Sequence, residues 1–199
     1  METNNNLNLW NKVEKTNPKY TKKAKVGGMS ITAIAPQYQI MMVTEQFGIY
    51  GKNWGFKNIQ LDYSLTEKYD MVVFKGTFFF PEGQFEIINS YKLFINNAKT
   101  MLDDNFAKKI ETDTLTKAIS KLGFNADIFM GKFDDVRYVQ EANTHFQKIE
   151  SKAIEERKPS LTISQFESSK KGSKEQIKAV LNKFRMTTIQ RDELTKLSL

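Results

Sequence analysis

The groups best able to do chemistry in this chain are the amines and carboxylates packed into residues 103–135, DDNFAKKIETDTLTKAISKLGFNADIFMGKFDD. Two chemistries suit such a mixture. Lysines along one side of a helix can neutralise phosphates, whereas clustered carboxylates can hold the two divalent metals of a nuclease. Phe106, Ile110, Leu115, Ala118, Ile119 and Leu122 recur at helical spacing and form one apolar stripe, with Lys108, Lys109, Lys117 and Lys121 lying off it. One helix can therefore face a core and an anion together. The carboxylates Asp103, Asp104, Glu111, Asp113, Asp127, Asp134 and Asp135 are spaced against a metal centre. Asp103 and Asp104 stand where the positive end of a helix macrodipole favours acid, and Asp113 sits among lysines on the helix surface. Anion binding is the stronger expectation.

Other chemistries are excluded by what is missing. The single histidine, His145, has no second histidine or cysteine near it to complete a metal site. No G-x-x-x-x-G-K-[ST] loop occurs, so any nucleic-acid transaction must proceed without a P-loop ATPase. No cofactor is expected, and the carboxylate spacing argues against a metal-dependent nuclease. There are no cysteines, which fits a reducing cytoplasm. The N-terminal METNNNLNLW is polar, and no stretch approaches the ~20 apolar residues of a membrane span. The expectation is a soluble cytoplasmic protein with no membrane partner.

A net charge of +7 and a pI near 9.3 favour a polyanionic partner, because lysines lining a groove release counterions condensed on phosphates. The densest basic run is residues 12–25, with six lysines and one acid, Glu14. There Lys19, Lys22, Lys23 and Lys25 form a candidate phosphate-contacting loop, in which Gly27 and Gly28 let the backbone approach and Tyr20 offers a ring for a base. Lys92, beside Tyr91, extends the candidates to Lys108, Lys117 and Lys121.

The elements that must position these residues follow from periodicity. Residues 7–16 suit a short helix, and residues 16–28 read as loop on Pro18, Gly27 and Gly28. Pro36 opens a helix carrying Tyr38, Met41, Met42 and Glu45 that ends at Gly48, with Trp54 a buried anchor in the turn after it. Ile59, Leu61, Tyr63 and Leu65 alternate with polar residues and predict a strand with one buried face. Residues 69–80 and 85–94 follow after short turns, giving three successive antiparallel strands. Val72, Val73 and Phe74 make both faces of the middle strand apolar, which puts it at the centre, with a helix on one side and another protomer or the chain's own tail on the other. The long helix then closes at Gly123, where a left-handed cap is needed. Residues 147–173 mix charge with Ser, Pro and Gly and read as a linker, and residues 174–199 suggest two short helices broken around residues 186–188. The fold class is α+β: a three-stranded antiparallel meander packed on a long helix, with N-terminal helices and a small C-terminal helical appendage.

Residues 25–56, KVGGMSITAIAPQYQIMMVTEQFGIYGKNWGF, read together with the lysine-bearing helix, carry a family resemblance. The EQFG helix end at residues 45–48, the GKNWGF turn at residues 51–56, the three strands and TDTLTKAISKLGF resemble Sak-type phage single-strand annealing proteins, relatives of the eukaryotic Rad fifty-two annealing protein. The likeness covers roughly residues 10–140. It implies an annealing core over residues 1–146, a groove formed by the strands and long helix, protomers joined in rings or filaments, and basic side chains of the long helix on the DNA strand. Lys117 matches one such place, while Thr116 and Ser120 stand where charges are expected. Expected partners are single-stranded DNA, further copies of the chain and a phage exonuclease, with the host single-strand binding protein a separate expectation for the C-terminal helix pair. The alternative from another class is a single-stranded RNA-binding or regulatory adaptor without annealing activity.

Overall fold

Glycine pairs and a lysine-rich sequence decide the N-terminal architecture. The computed structural model describes residues 5–199 and opens with α1 (Asn8–Val13), followed by a hairpin of β1 (Thr21–Val26) and β2 (Met29–Ile34). The hairpin corrects the loop expected over residues 16–28. Gly27 and Gly28 both adopt positive φ, 57° and 85°, the two-residue turn whose twist matches antiparallel strands.

Next comes α2 (Pro36–Phe47), with Pro36 in its first turn and Gly48 closing it at φ 96°. Trp54 is fully buried beneath that end, its indole N–H donating to the Gly48 carbonyl at 2.9 Å. Three antiparallel strands follow in the spatial order β3 (Gly55–Asp62), β4 (Met71–Phe80), β5 (Gly83–Lys92), with the short α3 (Thr66–Tyr69) between the first two. The middle strand is central, as its two apolar faces required. Directly opposed residues share a face, so Phe56, Phe78 and Phe85 form one aromatic row across the sheet. On that face Val72, Phe74 and Ile87 meet α4 (Phe106–Ser120), which buries Ile110, Leu115, Ala118 and Ile119 together with Val43 and Phe47 of α2. The other face stays open, with Ile88 at its middle 69% exposed and Lys75 paired to Asp62 at 2.7 Å.

The first strand departs from its expected pattern. It runs over Gly55–Asp62, and a bulge between Lys57 and Gln60 breaks the period-two register. Phe56 and Leu61 pack on the core, while Ile59, Tyr63 and Leu65 are exposed rather than inward. Beyond α4, Gly123 at φ 93° turns the chain under Trp10, and α5 (Ala126–Phe129) leads into α6 (Val136–Arg157).

The chain forms two compact units that divide within α6, after Ala142. In the second unit α7 (Ile163–Ser169), α8 (Lys174–Lys183) and α9 (Thr188–Ser198) each begin with a reciprocal capping box, Thr162 with Gln165, Ser173 with Gln176 and Thr187 with Gln190. Leu161, Phe166, Ile177 and Leu194 make its core. Residues 147–173, read as linker on composition, are therefore largely helical, because Ile163 and Phe166 sit behind a strong cap and Leu161 and Phe166 complete a core the last two helices lack alone. No described helix is long and apolar enough to cross a membrane.

Candidate nucleic-acid interface

The excess positive charge sits in two places. Residues 12–25 carry six lysines against Glu14, and residues 143–199 carry twelve lysines and arginines against seven acids. The rest of the chain holds twelve basic and fifteen acidic residues and is net negative. Within the first unit this run leads into the β1–β2 hairpin, where Lys22, Lys23 and Lys25 of β1 make a basic arm.

The register sorts that arm into two faces. Lys23 pairs with Thr32 and Lys25 with Ser30, so lysines and hydroxyls share one side; Lys22 and Ala24 oppose Ala33 and Ile31 on the other. Lys23 Nζ donates to Thr32 Oγ1 at 2.9 Å. Among the described residues neither Lys22 nor Lys25 has an acidic partner, and both are exposed. Lys19 lies in the turn Pro18–Tyr20, its amine 6.0 Å from the Tyr20 ring centre. Tyr20 is half-buried and stacks on Tyr38 at 4.3 Å, so one of its faces is already covered.

The arm is anchored by a buried polar network. Asp127, with no exposed surface, accepts from Thr16 N at 2.8 Å, Thr16 Oγ1 at 2.6 Å, Ile128 N at 2.9 Å and Tyr138 Oη at 2.8 Å. Asn125, held at φ 58°, donates to Thr16 Oγ1 at 2.9 Å, and Thr116 of α4 donates to Gln39 of α2 at 2.9 Å. Burial, and then the Asp127 contact, push the Tyr138 phenol well above its ordinary value. Every polar atom of this cluster is satisfied, which fixes the root of the arm against α2 and the end of α4.

A second basic strip runs where α4 meets β5. Lys109, Asp113, Lys117 and Lys121 recur every four residues and face Tyr91, Asn89 and Phe85. Lys117 Nζ lies 2.7 Å from Asn89 Oδ1 and 3.4 Å from Asp113 Oδ2, while Asn89 donates to Asp113 at 2.8 Å and Thr114 at 3.1 Å. Lys121 Nζ sits 5.5 Å from the Phe85 ring centre, without an acidic partner among the described residues. At the other end Lys109 Nζ binds buried Asp103 at 2.6 Å, and Tyr91 donates to the same carboxylate at 3.1 Å. The Lys109 amine holds the Asp103 carboxyl below its ordinary value, and burial raises the Tyr91 phenol.

The eight lysines singled out in the sequence are not brought together. Lys117 and Lys121 share a side of α4, but Lys108 precedes Lys117 by nine residues, about two and a half turns, and points the opposite way. Lys108 nevertheless borders the strip: with Tyr91, Lys109 and Asp113, and with Asn105, Thr112 and Thr116, it lines an open cleft of about 680 Å³. Lys92 pairs with Met71 on the open sheet face, away from α4. Sequence reasoning missed Asn89 and Phe85; their inward positions in an alternating strand were the available signal. Asp103, Asp113 and Asp127 are each engaged separately, and no three described His, Asp or Glu side chains converge as metal ligands. No family model matches the chain, and no curated protein matches it.

Proposed function

We propose that this chain binds single-stranded DNA through its phosphates and anneals complementary strands without ATP, as an oligomeric ring or filament in phage or prophage recombination. The observation that carries this reading is the pairing of a basic hairpin arm with the α4–β5 strip, where Lys117 and Lys121 stand over Asn89 and Phe85. Lysine neutralises phosphate without reading sequence, and annealing asks that base edges be left free for a complementary strand. The helix ending at Gly48, the turn around Trp54, the meander and the lysine-bearing helix occur in the order on which the resemblance to Sak-type annealing proteins rests.

Self-association draws support from one end of the meander. Tyr63, Tyr69, Ile95, Met101 and Leu102 are each more than half exposed there, on connections joined by Leu93 N to Asp70 O at 2.8 Å and by the Lys99–Asp70 pair. In this reading an exonuclease supplies the single strands, and the protein works in the cytoplasm of the bacterial host.

The test is ATP-free annealing of two complementary fluorescent oligonucleotides, with light scattering on the same sample. Faster pairing by a large oligomer is expected. A monomer that binds strands without speeding their pairing would replace this reading with that of an RNA-binding or regulatory adaptor.

A further inference from the structure

We infer that the second unit, Asn143–Leu199, is a separate nucleic-acid grip that holds the phosphate backbone of a duplex without reading its bases. The inference does not rest on annealing by the first unit. Little more than a quarter of the chain carries five of its seven net charges here, while the first unit nets two. Charge segregated so strongly into a small unit is an electrostatic footprint for a polyanion.

The fold gathers part of that charge at one end of the α8–α9 pair. Lys174 Nζ donates to the main-chain oxygen of Leu199 at 2.6 Å, drawing the first turn of α8 to the last turn of α9. Lys178, one turn beyond Lys174 in α8, and Lys196, within one turn of Leu199 in α9, therefore lie around that contact, and Lys171 stands three residues before Lys174 in the turn between α7 and α8. All are exposed, and Lys171, Lys178 and Lys196 make no ion pair among the described residues. The neighbouring acids Glu167 and Glu193 are both taken up by Lys170, at 3.0 and 2.7 Å. One amine leaves one of those two negative charges over, and with Glu175 of α8 and Asp192 of α9 it stands against the four amines of Lys171, Lys174, Lys178 and Lys196, so the side chains of the cluster keep a net positive charge of one.

The aromatic residues decide between single strand and duplex. The unit contains no tryptophan and no tyrosine, and none of its three phenylalanines is exposed: Phe166 is buried, and Phe146 and Phe184 are half-buried. Single-strand binding draws on aromatic faces that receive unstacked bases. A duplex keeps its bases stacked and offers a dense row of phosphates, which amines alone can hold.

The full chain is titrated against a fluorescent duplex of about 20 base pairs over a range of salt, beside the triple variant Lys171→Gln, Lys178→Gln, Lys196→Gln. The slope of log K against log salt should be shallower by about 2 to 3 units in the variant, at about 0.9 for each phosphate no longer neutralised, with an unchanged circular dichroism spectrum. An unchanged slope overturns the inference. So does absence of duplex binding by the unsubstituted chain at low salt, including the case in which an Asp/Glu-rich peptide binds the unit instead. Single-strand annealing measured on the same preparations reports on the first unit independently, so either reading can fail while the other stands.

Discussion

Replacing Asp127 with asparagine tests whether the buried network holds the first unit together. The carboxylate has two oxygens, each facing one backbone N–H that cannot reverse: Thr16 N on Oδ2 and Ile128 N on Oδ1. Whichever way the amide of Asp127→Asn lies, its NH₂ confronts one of them. A buried donor left unpaired costs about 1–3 kcal/mol, and hydrogen bonds to a charged acceptor lose about half their strength when it becomes neutral. The hydroxyls of Thr16 and Tyr138 can rotate, so they add less. The sum is about 3–5 kcal/mol, a large part of the 5–15 kcal/mol that typically separates folded from unfolded chains. With a urea dependence of about 2 kcal/mol per molar, the unfolding midpoint should fall by roughly 2 M. Trp10 and Trp54 both belong to the first unit, so their fluorescence follows the right transition. Tyr138→Phe is the control: it removes one donor, leaves no orphan and should cost about 1 kcal/mol. A midpoint for Asp127→Asn within about 0.3 M of the unsubstituted chain would refute the argument.

Gly123→Ala should destabilise the same unit by about 2–4 kcal/mol, because φ is 93° there and the new Cβ would lie 2.7 Å from the Trp10 ring; urea unfolding checks it, and a neutral result would show that Trp10 can step aside at no cost. Asp103 titrates below its ordinary value in the folded state, so its contribution is complete above about pH 4 and is lost as pH falls further; Asp103→Asn should flatten the fall in urea midpoint below that pH, and an unchanged acid slope would contradict the Lys109 and Tyr91 contacts. Lys22→Gln with Lys25→Gln should reduce the salt dependence of single-strand binding by about 1.4 units, and Lys117→Gln with Lys121→Gln by less; equal slopes in all three proteins would remove both sites from the interface.

The sequence was legible where burial is one-sided and long. The α2 boundaries, the central β4 and the stripe of α4 all follow from apolar spacing backed by Pro36, Gly48 and Gly123. The hairpin was not, because period two shows only when one face is apolar, and β1 exposes Lys22, Lys23 and Lys25 on both faces. Gly27–Gly28 between two six-residue runs was the signal that could have found it. The bulge in β3 was invisible for a different reason: its cause is Asn58 at φ 56°, a local conformation that alternation cannot report. In the second unit the three Ser/Thr-x-x-Gln boxes mark helix starts, yet Ser, Lys and Glu between them look like linker until Leu161 and Phe166 are given a core to join. At the candidate site, residue types were readable and directions were not: the nine-residue spacing of Lys108 and Lys117 already sets them on opposite sides of one helix.

Under the proposed single-strand reading, the placement of acids gives different work to the two basic features of the first unit. Lys117 is already shared between Asp113 and Asn89, so a phosphate arriving there exchanges one ion pair for another and gains little. Lys109 is more firmly held, against a carboxylate with almost no exposed surface. Lys22 and Lys25 face no acid among the described residues, and a phosphate bound to them releases condensed counterions without breaking a pair. Affinity should therefore come mainly from the arm. The α4–β5 strip contributes fixed position instead, since Asn89 and Phe85 hold its amines in line along a strand edge. A strand gripped loosely at many points and strongly at few is suited to pairing with its complement, because the duplex that forms can leave the strip at small cost. The network around Asp127 makes this division possible: it ties Thr16, the residue at the root of the arm, to Asn125 and Tyr138, and the neighbouring Gln39 to Thr116 on α4, so arm and strip keep one geometry.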